Sequence, residues 1–111
     1  MLTSFDEIPR KDRVIIALDC EADKALYIAY ALAGEASWVK IGMTLYYAYG
    51  PELIRMLESS GYKVFLDLKF HDIPHQVHGA AESAAMTGAE MLTMHAIGGA
   101  DMMKAAVQGA A

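Results

Sequence analysis

The chain has 111 residues, 55% of them hydrophobic, which suits one buried core and lies within the usual range of a single domain. A formal net charge of -5 and a pI near 5.2 argue against a phosphate-tracking surface, so nucleic acid is not an expected partner. Cys20 is the only cysteine and cannot form an internal disulfide, which points to the cytoplasm, and no run approaches the roughly 18 apolar residues of a membrane span.

The first twelve residues mix Asp6, Glu7, Arg10, Lys11 and Asp12 with few apolar side chains, and are expected to form a short leader, not a signal peptide. From residue 13 to 111 the pattern switches between short β-branched runs and longer stretches of helical spacing, as expected of four βα units around a parallel sheet. The first strand is predicted over Val14–Leu18, ending at Asp19, with a helix from about Asp23 to Leu32 that Gly34 closes. A second strand covers Trp38–Ile41. Its helix, Thr44–Ser59, is expected to divide at Gly50-Pro51 and to end at Gly61. The third strand is Lys63–Leu68, and Pro74, suited to a first helical turn, opens a helix running toward Gly88. The fourth strand, Glu90–Met94, leads through Gly98-Gly99 into a helix over Ala100–Val107.

Four such units make half of an α/β (β/α)8 barrel, which needs about 250 residues and eight strands. The chain then reads as one partial domain. An open, four-stranded doubly wound sheet competes on length alone.

In either architecture the reactive groups gather at the carboxyl ends of the strands. Here those ends carry Asp19, Lys40, the pair Asp67 and Lys69, and His95. Polar rims produce such residues by chance, so the third strand is the informative one. Asp67 and Lys69 are two apart and share a face of the strand, and Asp72 follows three residues later. A lysine flanked by two carboxylates is held as an ammonium. The grouping suits a proton donor placed beside a developing carbanion.

The segment Asp67-Leu68-Lys69-Phe70-His71-Asp72-Ile73-Pro74 resembles the signature of the orotidine 5'-phosphate decarboxylase family. Ala17-Leu18-Asp19, Val39-Lys40-Ile41-Gly42 and His95-Ala96-Ile97-Gly98-Gly99 resemble the family's first, second and fourth strand ends, in the same order and spacing. The resemblance covers the chain from about Arg13 but only about half of a family member's barrel. It implies cofactor-free and metal-free conversion of orotidine 5'-monophosphate to UMP and CO2, the last step of de novo pyrimidine nucleotide synthesis. By matching position, Lys69 would protonate C6 and Asp67 would sit against the substrate carboxylate. Lys40 would extend the charge network to the ribose hydroxyls, with Asp19 also at the ribose. Asp72, with Ile73 behind it, would reach the partner subunit's site in a homodimer. Gln76 stands where the family often has Thr, at a contact near the ribose or phosphate. The phosphate-binding Arg of the family belongs to its later strands.

Sister enzymes of the same suprafamily, hexulose-phosphate synthases and ketogulonate-phosphate decarboxylases, share Asp-x-Lys-x-x-Asp but use a metal-stabilised enediolate. They usually carry a carboxylate ligand where this chain has Lys40. A different class is a non-catalytic half-barrel that self-associates through the unpaired edges of its first and fourth strands. Other features have plainer readings. His75 and His78 form a pair without a third metal ligand, and the methionines and the Tyr46, Tyr47 and Tyr49 cluster read as packing. A Schiff-base role for Lys69 conflicts with carboxylates that favour its charged form.

Overall fold

The structure is a computed structural model that describes residues 3–111. Four parallel strands form one sheet: β1 (Ile15–Ala17), β2 (Trp38–Gly42), β3 (Lys63–Phe70) and β4 (Met91–Met94). The helices are α1 (Ala22–Ala31), α2 (Met43–Tyr49), α3 (Pro51–Ser59), α4 (Pro74–Ala85) and α5 (Ala100–Ala110). The strands lie in the order β1-β2-β3-β4, without reversal. Right-handed crossovers between sequential neighbours place every helix on one face of the sheet. A doubly wound sheet needs a switch in strand order to cover both faces, so the half-barrel expectation holds and the doubly wound one does not.

Alternation along the strands separates the two faces. Val39 and Ile41 of β2 and Val64 and Leu66 of β3 are fully buried against Ala25 and Ala29 of α1 and Leu53, Ile54 and Leu57 of α3. Val77 and Ala81 of α4 pack with Met102 and Ala106 of α5 beneath Leu92 and Met94. The intervening residues, Lys40, Asp67, Lys69 and Thr93 among them, project from the opposite face. No helix among the described residues covers that face, and Ile15 and Met91 at its two edges are exposed. The result is a slab of 40 by 39 by 21 Å with a radius of gyration of 14.7 Å. A compact chain of this length would have about 13 Å.

Several boundaries differ from expectation. β1 is shorter than Val14–Leu18 because it is an edge strand paired only with β2, although the Leu18 N–H still reaches the Lys40 carbonyl at 2.9 Å. β2 runs on to Gly42 and β3 to Phe70, past the expected ends. α5 continues past Val107 because small residues let it lie close on α4: a Cβ on Gly109 would run into the His78 carbonyl oxygen. The break at Gly50-Pro51 falls as expected, with Gly50 at φ 85 and Pro51 opening α3.

The expected leader is partly structured. Phe5–Glu7 and Arg10–Arg13 are 3-10 turns, Arg13 donates to the carbonyls of Ile8 and Asp6, and the Ser37 N–H binds the Lys11 carbonyl at 2.9 Å. The Ser37 hydroxyl also binds Asp12, which ties this segment to the amino end of β2. Met1 and Leu2 lie outside the described residues.

Candidate active site

Register decides which side chains meet at the carboxyl end of the sheet. Ala17 is the Cα partner of Lys40, Lys40 of Phe65, and Gly42 of Asp67, so Lys40 stands one inward position below Asp67 on the neighbouring strand. Gly42 adds no side chain between them. The Lys40 ammonium lies 3.6 Å from Asp67 Oδ2 and 3.6 Å from Asp19 Oδ2. Lys69 Nζ donates to the same Asp67 Oδ2 at 2.7 Å. Asp19, Lys40, Asp67 and Lys69 therefore form one chain of alternating charge drawn from three strand ends.

Asp67 is its centre. It is a buried carboxylate, 7% exposed, and both oxygens are engaged, since Thr93 Oγ1 donates to Oδ1 at 2.7 Å. The hydrogen bond from Lys69 holds its pKa below the ordinary carboxylate range. Burial opposes that shift, while the Thr93 hydroxyl and the two ammonium charges add to it. Exposure rises outward, with side chains 24% exposed at Lys40, 46% at Lys69 and 65% at Asp19. The inner pair is the preorganised part, and the ends are free to meet a ligand.

Lys69 has a second peculiarity. The β3–β4 pairing passes from Leu66↔Leu92 to Phe70↔Met94, so four steps along β3 match two along β4. Within this irregularity Lys69 adopts φ 53, the one positive φ at a non-glycine residue among the described residues. Left-handed backbone is rare for residues with a Cβ and concentrates at functional sites.

The remaining expected site residues stand apart. Lys69 was expected between two carboxylates, but among the described residues it pairs with Asp67 alone. Asp72 turns instead onto its own loop, accepting from the Ile73 N–H at 2.6 Å, because the chain turns away from the sheet ahead of Pro74. Asp72, Ile73 and Gln76 are all exposed, as are His75 and His78. The described residues hold no group of three or more His, Cys, Asp or Glu that could bind a metal. His95, the remaining strand-end residue, packs its ring 5.1 Å from that of His71, bridging the loops that follow β3 and β4.

Thr93 was not anticipated. Its signal was available, since it is the polar residue of an otherwise apolar strand and shares a face with His95, two positions on. A cavity of about 610 Å³ opens beside the Asp19 end, between the loop after β1 and the start of α2, lined by Leu18, Asp19, Glu21, Gly42, Thr44 and Leu45 among others. Lys40, Asp67 and Lys69 lie outside it, on the open inner face of the sheet.

Sequential parallel strands under one helix layer, with charged groups collected at their carboxyl ends, define a segment of the (β/α)8-barrel class. Residues 12–111 match the orotidine 5'-phosphate decarboxylase / HUMPS family, and the chain belongs to that family. It is 56% identical over 95 residues to the orotidine 5'-phosphate decarboxylase of Alkalilimnicola ehrlichii, covering 85% of this chain and 40% of that protein. It is 47% identical over 97 residues to that of Nitratidesulfovibrio vulgaris, covering 86% and 41%. The crystal structure of orotidine 5'-phosphate decarboxylase from Lactobacillus acidophilus superposes with a TM-score of 0.79 at 42% identity, over 86% of this chain and 44% of that one. The chain thus spans about two fifths of the length of the curated relatives it matches. No helix among the described residues is long and apolar enough to cross a membrane.

Proposed function

We propose that this chain supplies the reacting end of an orotidine 5'-phosphate decarboxylase site, which converts orotidine 5'-monophosphate to UMP and CO2 without a cofactor. The observation that carries the reading is the single Asp67 oxygen shared by Lys69 at 2.7 Å and Lys40 at 3.6 Å. In the reaction the bond from C6 to the carboxyl group breaks, its electron pair stays on C6, and Lys69 gives that carbon a proton. The hydrogen bond to Asp67 Oδ2 holds the Lys69 ammonium in place, so the donor is positioned when needed. The same carboxylate, lying beside a substrate carboxylate, raises the energy of the bound anion. Unit charges about 4 Å apart at an effective dielectric near 20 repel by roughly 4 kcal/mol, and departure of neutral CO2 relieves that repulsion. Lys40 and Asp19, on the side of the network away from Lys69, take the ribose hydroxyls.

Asp72 and Ile73 reach the partner's site in a homodimer, and Gln76 stands at the position of a contact near the ribose or phosphate. Their exposure and the absence of Asp72 from the chain's own network support this assignment. A cytoplasmic location fits the lone cysteine. Within the family, Lys40 favours decarboxylation over metal-assisted sugar-phosphate chemistry. A fixed ammonium already lies 3.6 Å from each of Asp19 and Asp67, where a metal route would need an open place between carboxylates.

The test is a graft of residues 12–111 in place of the matching segment of the Alkalilimnicola ehrlichii enzyme, assayed by loss of orotidine 5'-monophosphate absorbance. The graft is expected to turn over, and Lys69→Ala within it to lose at least about a thousandfold in kcat while still binding UMP. Near-normal turnover in Lys69→Ala would remove Lys69 from the mechanism.

A further inference from the structure

We propose that Thr93 is a positioning residue for this site, its one hydroxyl fixing Asp67 and Lys69 relative to each other; the inference rests on the decarboxylase reading above. Thr93 Oγ1 donates to Asp67 Oδ1 at 2.7 Å and accepts the backbone N–H of Lys69 at 3.0 Å. The directions are consistent, because a hydroxyl has one proton to give and lone pairs to receive another. Asp67, which has only acceptors, takes the proton, and the amide fills a lone pair.

Both partners need what Thr93 supplies. The pairing irregularity between Leu66 and Phe70 takes this stretch of β3 out of regular register with β4, and the Lys69 N–H ends on a side chain, not on a ladder carbonyl. Lys69 also sits at φ 53, a conformation that persists only where its surroundings over-determine it. The hydroxyl supplies one such constraint from the adjacent strand. A carboxylate bound on one side only could rotate about its Cβ–Cγ bond. With Thr93 on Oδ1, Oδ2 stays turned toward Lys69 and Lys40, the two charged groups in reach of Asp67, beyond which Asp19 closes the network. One side chain thereby sets both the backbone from which the proton donor projects and the rotation of the anion that holds it.

A merely structural role would fill space, and valine has almost the same shape as threonine without the hydroxyl. Carboxyl NMR of Asp67 in the 111-residue chain reads the hold directly. Thr93→Val is expected to move the Asp67 titration up toward the ordinary carboxylate range and to speed exchange of the Lys69 amide, and Thr93→Ser to restore both. In the grafted enzyme, Thr93→Val is expected to lower kcat about ten- to a hundredfold with KM within about twofold, again rescued by serine. An unmoved Asp67 titration in Thr93→Val, or kcat unchanged in the graft, would overturn the proposal. So would a Lys69 amide that exchanges in the unmodified chain as fast as a free one, a measurement that needs no variant. If the graft shows no turnover while Thr93→Val still shifts Asp67 in the 111-residue chain, the decarboxylase reading fails and the hydroxyl's hold on the carboxylate stands.

Discussion

Replacing Asp67 by Asn removes the charge at the centre of the network while keeping its shape, and the structure sets the size of the effect. Unit charges at the 3.6 Å that separates Lys40 from Asp67 attract by about 5 kcal/mol at an effective dielectric near 20. Burial of Asp67 opposes this gain, and the closer Lys69 contact is discounted because that side chain is 46% exposed and screened by water. The net loss in Asp67→Asn is therefore set at about 2 kcal/mol near pH 7, the scale of a charge-assisted hydrogen bond. Its sign with pH follows from the lowered pKa. A carboxylate held below its ordinary range contributes stability that is fully present above the unfolded value, about 3.9, and is lost as pH falls through the folded value. Urea unfolding of both proteins at pH 7 and at successively lower pH should show the gap closing in that acid range, where the wild-type carboxyl becomes neutral. A gap that stays constant down to full protonation, or an Asn variant as stable as wild type at pH 7, would refute this reasoning.

Tyr62 is buried and its hydroxyl donates at 2.5 Å to the carbonyl of Ala29 in the last turn of α1. Tyr62→Phe should cost about 1 to 3 kcal/mol in thermal or urea unfolding by leaving that carbonyl without its phenolic donor. Burial raises the Tyr62 pKa, so its contribution is present below the unfolded value, about 10, and is lost as pH rises through the folded value; the phenylalanine variant should show a smaller alkaline loss of stability. Gly109→Ala should destabilise by about 1 to 3 kcal/mol, measured by thermal unfolding, because the new methyl meets backbone, not a flexible side chain, where α5 lies on α4. Leu66→Ala, at a fully buried position between the sheet and its helices, should cost about 2 to 5 kcal/mol in urea without altering the Asp67 titration.

The parts of the fold that were legible in the sequence are those fixed by periodicity and by glycine and proline. β-branched runs alternating with helical spacing gave four βα units, and Gly50-Pro51 marked the break between α2 and α3. Where neighbours decide, local pattern fell short. β3 outruns its apolar stretch because pairing with β4 resumes at Phe70, and α5 outruns Val107 because Gly109 permits a close approach to α4. Neither contact can be read from a single segment. The site divides in the same way. Spacing of two put Asp67 and Lys69 on one face, where they meet, whereas the second flanking carboxylate, Asp72, was inferred from proximity in sequence and turns away with its loop. Thr93 escaped notice because its importance comes from cross-strand register.

That register also explains why the network can be preorganised on so short a sheet. Asp67 has Gly42 as its Cα partner on β2, so no side chain stands beside it at that register position. A methyl at Gly42 would lie in van der Waals contact with Asp19 Oδ1 at 3.6 Å, so the side chain this position would meet is the outer carboxylate. With that position empty, Lys40 spans both carboxylates from below, Lys69 closes on Asp67 from above, and Thr93 holds the remaining oxygen from β4. Each of the four strands, or the chain just beyond it, contributes a side chain, and the buried member, Asp67, has both carboxylate oxygens bound. Charge is therefore held most firmly at Asp67, where both lysines and Thr93 meet, and left most exposed at Asp19.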